Sequence, residues 1–389
     1  MAVKTRRFRF LLTRRIPFSL SSLPILARCP SRATAYARSR WKLLQRKGTQ
    51  MDGLVTFEIA GDEGIFRHGY AYGAIVDELD AALDRRERGN LSQAKYLAAL
   101  RAIVERHPHF IDGHAHLGYA LLEQGKPTAA LEACLRGLQL GEDAIPGGFA
   151  GTIEWGFLEN RPFLRAAHGA MLCHLHLGQR KEALTLMEKM LSWNPNDNQG
   201  IRFLIGSEYL RAGQTAKASR IFKKEADHYP PYHYEMGLLH FQASDLIAAA
   251  TSLRRGLVAN GYVAEILSGN PDPMPLAIWH QSNLAEPEVA RDYAAQCADL
   301  WRKTEGATLF LRWLHMHPKV MAERAAVFEC MEALLWEHDV DRRGMLLDRQ
   351  DAAVADIDDR LSAEIVVERA DRHGRSVSPW LYPQTRPRF

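Results

Sequence analysis

Along residues 70–138 apolar positions recur every three or four residues and are punctuated by turn-forming residues, a helical rather than a strand period. Tyr72, Ile75, Leu79 and Leu83 give YAYGAIVDELDAALDRRERG one apolar side, and Tyr96, Leu100 and Ile103 do the same for SQAKYLAALRAIVERHP, which Pro108 ends. The stretch from Gly113 to Leu138, GHAHLGYALLEQGKPTAALEACLRGL, then places small residues where two antiparallel helices must touch. Leu117-Gly118 admits a neighbouring helix, Gly125 makes the turn, Pro127 suits a first helical turn, and Ala130 and Gly137 are close-contact positions.

The same small-residue pattern returns three times. Gly178, Ala183, Met187 and Pro195 repeat it; so do Gly206, Gly213, Ala218, Phe222 and Pro230, and then Gly237, Ser244, Ala249, Leu253 and Gly256. The turns at Gly178, Gly213 and Ser244 are 35 and 31 residues apart, close to the roughly 34 of one well-known repeat. On these residues the chain resembles the tetratricopeptide repeat family, with His114 where the family usually has Trp and Cys134 where it favours Phe or Tyr. The resemblance implies an all-α, right-handed superhelical solenoid of helical hairpins, extended by further C-terminal helices. From Gly125 to Gly178 the gap is 53, which predicts an insertion at residues 139–160.

The expected organisation is a basic leader over 1–50, a capping segment over 51–90 that opens on a β-prone GLVTFEIAG, and repeats over 91–260. A helical extension over 261–372 and a loose, proline-containing tail over 373–389 follow. The extension reads as PEVARDYAAQCADLWRKT, EGATLFLRWLHMH and PKVMAERAAVFECMEALLWEHD, with Trp301, Leu309, Leu311, Trp313, Phe328 and Leu335 covering the last apolar face, and then one polar helix within 348–370. A narrower resemblance, to suppressor-of-tumorigenicity-seven-like proteins and their bacterial relatives, rests on NPNDNQGIR at 194–202, RRGLVANGYVAEIL at 254–267 and WRKTEGATLFLRWLH at 301–315. It implies no catalytic motif, and the membrane spans that precede this region in that family have no counterpart here.

A repeat of this kind cannot bury its apolar face alone, and the inner wall of the resulting stack is lined by first helices. The wall is therefore the candidate binding surface, with His116, Tyr119, His168, Leu172, Phe203, Arg211, Tyr234 and Leu238 as its candidate residues and a protein or peptide as partner. The Lys/Asn set with which one subclass of the family grips a terminal carboxylate is missing. A different reading, an enzyme or small-ligand sensor, would place its pocket between the 139–160 insertion and the inner helices.

Charge changes the picture at one end only. The first fifty residues hold thirteen Lys and Arg and no acid, so the remainder carries 50 − 13 = 37 bases against 46 acids, a formal charge of −9. A body of that sign has no basic face for phosphates, which excludes nucleic acid as the expected partner. The leader fits a mis-assigned start before Met51, an organelle transit peptide, or less well a secretory signal, so the expected location is the cytoplasm, or an organelle if the leader is a transit peptide. Five scattered cysteines make neither a disulfide framework nor a CxxC pair and imply a reducing compartment. The HxH pairs at 107–109, 114–116, 174–176 and 315–317 point about 200 degrees apart on a helix, so neither a metal nor another cofactor is expected. No phosphate-binding, dinucleotide or nucleophile-elbow motif occurs, no run of apolar residues is long enough to span a membrane, and no enzyme activity is expected.

Overall fold

The computed structural model describes residues 55–69, 72–370 and 373–381; the leader and residues 382–389 of the tail lie outside them. The described chain is a solenoid of tetratricopeptide-like helical hairpins. It opens with an antiparallel hairpin, β1 (Thr56–Ala60) and β2 (Glu63–Arg67), in which Phe57 faces Phe66. The β-prone opening is thus half of a hairpin whose second strand the sequence pattern did not announce. Helices α1 (Tyr72–Glu87) and α2 (Gln93–Arg106) follow, α2 capped by Ser92, whose hydroxyl accepts the Lys95 amide.

Four hairpins then stack: α3 (Ile111–Glu123) with α4 (Pro127–Ala144), α5 (Arg161–His176) with α6 (Arg180–Trp193), α7 (Arg202–Arg211) with α8 (Thr215–Glu225), and α9 (Pro231–Gln242) with α10 (Leu246–Ala259). Every hairpin turns on a left-handed residue, Gly125, Gly178, Gly213 and Ser244, at φ of 69°, 72°, 71° and 61°. Only the last carries a side chain, and it sits in the region that L residues other than Asn and Asp avoid. Behind each turn the expected contact residues are fully buried: Ala130, Ala183, Ala218 and Ala249 are all 0% exposed. A continuous core runs from Phe66 to Trp380, as stacking of units that cannot close their own apolar faces requires, and Val258, Val327, Met331 and Ile357 form a small second cluster.

The insertion differs from expectation in place and in role. Helix α4 continues to Ala144, so the extra residues are 145–160, and they tie the N-terminal hairpin to the stack. Gly64 donates its amide to the Thr152 carbonyl (2.7 Å), and buried Asn160 accepts the Phe66 amide (3.0 Å) while donating to the Gly64 carbonyl (3.0 Å).

Beyond α10 come α11 (Tyr262–Leu267), α12 (Pro287–Lys303), α13 (Ala307–His315) and α14 (Pro318–Trp336), the last three within the three predicted stretches. Trp301 and Leu311 are buried, but Leu309 and Leu335 face outward. The polar C-terminal stretch is two helices, α15 (Val340–Ala355) and α16 (Asp359–Ile365). Ile357 is fully buried at the break, its carbonyl accepts Arg255, the Asp358 carbonyl accepts Arg254, and the Asp358 side chain caps α16. Part of the expected loose tail is instead ordered: Ser376–Val377 (β4) pairs with Arg369–Ala370 (β3), and Trp380 packs on Phe310 and Trp313. The tail's large aromatic residue is what seats it.

The tightness of the crossings gives a prediction of sign. Alanine in a helix interior is ordinarily about 1 kcal/mol better than glycine. A Cβ on Gly206 would lie 2.6 Å from the Phe222 ring and 2.9 Å from that of Tyr232, so Gly206→Ala is expected to destabilise by about 1–3 kcal/mol. Chemical denaturation of the variant would show a lowered midpoint; a raised one would mean that α7 and α8 do not cross there.

Candidate functional site

The inner wall has two halves with different surroundings. In the first, Asp112 and His116 stand one helical turn apart on α3, facing Arg165 of α5. Arg165 grips Asp112 with two parallel hydrogen bonds, Nε to Oδ1 at 2.8 Å and Nη2 to Oδ2 at 2.5 Å, and His116 Nε2 is 3.7 Å from Oδ1. Burial pushes the Asp112 carboxyl up, but the charges of Arg165 and His116 outweigh it and hold the group below its usual range. A turn further on, the Tyr119 hydroxyl meets the Arg165 carbonyl (3.1 Å) and His168 Nδ1 (2.9 Å). One hydroxyl has one proton to give; with the carbonyl taking it, Nδ1–H of His168 donates to the phenol oxygen. Burial pushes His168 down to about 4, so the ring is neutral. Trp155, from the insertion, lies under two guanidinium groups, Arg161 at 5.2 Å and Arg165 at 5.9 Å from the ring centre. His68, at the end of β2, stacks on Tyr72 with ring centres 3.9 Å apart.

In the second half, helix α12 lies against α7 and α9. Arg211, at the end of α7, reaches it through Nη2, which donates to the Gln296 carbonyl (2.5 Å) and to Asp299 Oδ1 (3.2 Å), while Nη1 donates to Glu208 (2.6 Å). Glu208 is buried and also accepts Arg180 at 2.7 and 2.8 Å. Beneath them Glu235, 0% exposed, accepts the Ser207 hydroxyl at 2.8 Å. Burial raises Glu235 to about 7, against the pull of Ser207, Arg211 and Cys297. At the far end Gln242 of α9 donates to Thr304 (2.8 Å), and Phe241 packs on Phe310. A cavity of about 170 Å³ remains where α5, α6, α7 and α12 meet, lined in part by His176, Arg180, Phe203 and Arg211.

This arrangement corrects the candidate wall. Leu172, Tyr234 and Leu238 are 0% exposed and belong to the core; the Tyr234 hydroxyl donates inward to the Asn260 carbonyl at 2.7 Å. Each sits at a helix-period position, but on the side that meets its own hairpin partner or the next repeat. Arg211 is on the wall, yet its Nη2 is taken up by α12 and its Nη1 by Glu208, and His168 is buried and bonded to Tyr119. His116, Tyr119 and Phe203 remain partly exposed, with Phe203 packed on Tyr229 at 5.0 Å and under Arg202 at 4.9 Å. Sequence reasoning missed Asp112 and Arg165, although following the α3 and α5 stripes back one turn reaches both. Nothing in the helical pattern of α12 announced that it would lie on the wall.

Among the described residues no group of three His, Cys, Asp or Glu is placed to hold a metal ion, and no helix is long and apolar enough to cross a membrane. No protein-family model matches the chain, and no curated protein matches it. Solved structures to which it is similar include the MamA RS-1 ArsTM double mutant, at 19% identity and a TM-score of 0.37 over 47% of this chain and 91% of that one. A MamA protein gives 14% and 0.37 over 48% and 90%. A tetratricopeptide repeat protein from Parabacteroides merdae ATCC 43184 gives 14% and 0.39 over 73% and 100%.

The buried carboxyl under α12 should leave a mark on stability. Because the folded pKa of Glu235 lies above its unfolded value, the folded state holds an extra proton between roughly pH 4.5 and 7, and stability falls as pH rises through that window. Glu235→Gln removes the dependence. Relative to the parent chain it should gain on the order of 3 kcal/mol between pH 5 and pH 8, at about 1.4 kcal/mol per pKa unit. Denaturation midpoints measured across that range check it, and parallel curves for the two proteins would contradict it.

Proposed function

We propose that this chain is a binding scaffold that holds a segment of a partner protein along the first half of its inner wall. The observation that carries the reading is the division of that wall. Helix α12 covers the part made by α7 and α9, and on α3, α5 and the start of α7 it leaves partly exposed aromatic and guanidinium groups: His116, Tyr119, Arg165 and Phe203, with His116 21% and Arg165 25% exposed on their side chains. Aromatic and arginine side chains carry most of the energy at protein interfaces. Here they are also fixed in advance, since Arg165 is clamped by Asp112 and Tyr119 by His168, so little side-chain freedom remains to be lost on binding.

Arg180, 44% exposed on its side chain, stands at the boundary between the open and covered halves and marks the end of the surface on offer. Four described cysteines are free and buried, which suits a reducing compartment such as the cytoplasm. The bonds of residues 145–160 to the β-hairpin weigh against the pocket that an enzyme or sensor would have needed beside the insertion. Its backbone groups are engaged with Asp62, Gly64 and Trp193, and the hollow that residues 146–151 do line is shared with Ile59, Gly61 and Asp62 of the β-hairpin, not with the inner helices.

Selection of a random peptide library on the immobilised full chain tests the proposal. Enriched peptides should share one sequence pattern and lose about tenfold or more in affinity on Phe203→Ala, a typical loss for an interface anchor of 1–2 kcal/mol. Exposed Trp336, on α14, serves as control: Trp336→Ala should leave binding unchanged. Peptides that respond to Trp336→Ala and ignore Phe203→Ala would place the binding surface elsewhere.

A further inference from the structure

The inner wall does not account for the run RRGLVANGYVAEIL, residues 254–267, which turns the corner from α10 into α11. Between this corner, the loop over 268–286 and α14 lies a second cavity of about 170 Å³. Its apolar walls include Val258, Ile278, Phe328 and Met331, and three polar side chains on it have incomplete partners.

The first is Asn260, 1% exposed. Its Nδ2 donates to the carbonyls of Leu284 (3.1 Å) and Glu286 (3.2 Å), which fixes the other branch of the amide as the oxygen; that Oδ1 has no partner among the described residues. A buried acceptor left unpaired is costly, so the position calls for a donor. The second is Arg324 of α14. Its guanidinium rests on the Phe328 ring at 5.8 Å and makes no ion pair with a described residue. Burial lowers its pKa, with Tyr234 and Glu265 only near enough to pull in the other direction, so the position calls for an anion. The third is Glu265, which accepts a single bond from Asn270 at 3.0 Å and contributes the opposite charge to the same walls.

The mouth is held by Tyr262. Its phenol oxygen accepts the Leu276 amide (2.8 Å), which leaves the O–H for His280 Nε2 (2.8 Å), and the two rings stack. The loop is thereby fastened across the corner. An engineered apolar cavity of about 150 Å³ holds benzene, so this one has room for a single residue and none for a peptide chain.

We infer that this cavity binds a free apolar α-amino acid, its carboxylate on Arg324, its ammonium between Asn260 Oδ1 and Glu265, and its side chain against Val258, Ile278 and Phe328. A cation, an unpaired acceptor and an anion on apolar walls match the three parts of that molecule, and the guanidinium fork suits a carboxylate. Tyr234 serves this site from behind, since its hydroxyl holds the Asn260 carbonyl. The inference is independent of any partner on the inner wall.

Titration calorimetry of the full chain with L-leucine, L-valine and L-phenylalanine tests it. At least one should bind. L-Leucinamide, lacking the carboxylate, and 4-methylpentanoate, lacking the ammonium, should each bind about tenfold or more weaker than leucine, the loss expected for one charge-assisted hydrogen bond. Arg324→Met breaks no internal ion pair, so it should leave the melting temperature of the ligand-free protein unchanged or raised and weaken binding by the same factor. Absence of heat and of any melting shift with all three amino acids would overturn the inference, as would full affinity in Arg324→Met. Tighter binding of the dipeptide Ala-Leu than of leucine would overturn the assignment to a free amino acid.

Discussion

Close approach of helix backbones is the constraint on which this molecule depends. Gly118 faces Cys134, Gly206 faces Phe222, and Gly237 faces Leu253 and the Ala249 carbonyl, so that in three of the four hairpins a missing side chain on the first helix admits a side chain of the second; in the α5–α6 hairpin Gly169 instead faces Cys134 of the preceding unit. Interiors pack at crystal-like density, and a methyl group in any of these places would have to displace a neighbour. Because a glycine on each first helix lets a neighbouring helix come close, the core can run unbroken from the N-terminal hairpin to Trp380. The left-handed turns set where each hairpin reverses; the small residues set how near its halves come.

That regular stack would by itself present a uniform inner wall. Two irregular segments make it unequal. Residues 145–160 anchor the β-hairpin through Asn160 and bring Trp155 beneath Arg161 and Arg165, which stiffens the first half without covering it. Helix α12 covers the second half, joined by Arg211 and Gln242 and by the burial of Tyr293, Cys297 and Trp301 in the main core. The polar groups under α12 are paired among themselves: Arg180 and Arg211 share Glu208, and Ser207 donates to Glu235. Removing Arg211 from this set would leave buried Glu208 with Arg180 alone and release α12 from the Gln296 and Asp299 bonds that Arg211 makes.

Much of this was legible in the sequence because it obeys local rules. Gly125, Gly178 and Gly213 end helices for the backbone reason that makes glycine common there, and the alanines opposite them follow at fixed spacing. What was not legible depends on direction around a helix and on distant chain. Tyr234 and Leu238 share the wall stripe's period, but their angle around α9 turns them inward, a matter of tens of degrees that a three-or-four spacing does not resolve. Arg211 could be placed on the wall, and its partners could not, since Gln296 and Asp299 are more than eighty residues away and nothing in PEVARDYAAQCADLW distinguishes a helix that caps a stack from one that lies across it. The break at Ile357 and the seating of Trp380 are likewise set by long-range partners, Arg254, Arg255 and Phe310.

The central claim is that α12 rests on the inner wall through Arg211. A double-mutant cycle on Arg211→Met and Asp299→Asn, read by equilibrium denaturation of the full chain, tests it most directly, because Glu208 keeps Arg180 in every variant and the cycle isolates the bond between the two elements. A coupling of about 0.5–3 kcal/mol is predicted for side chains in contact; additivity within about 0.3 kcal/mol would mean that α12 lies elsewhere and the wall is open along its length.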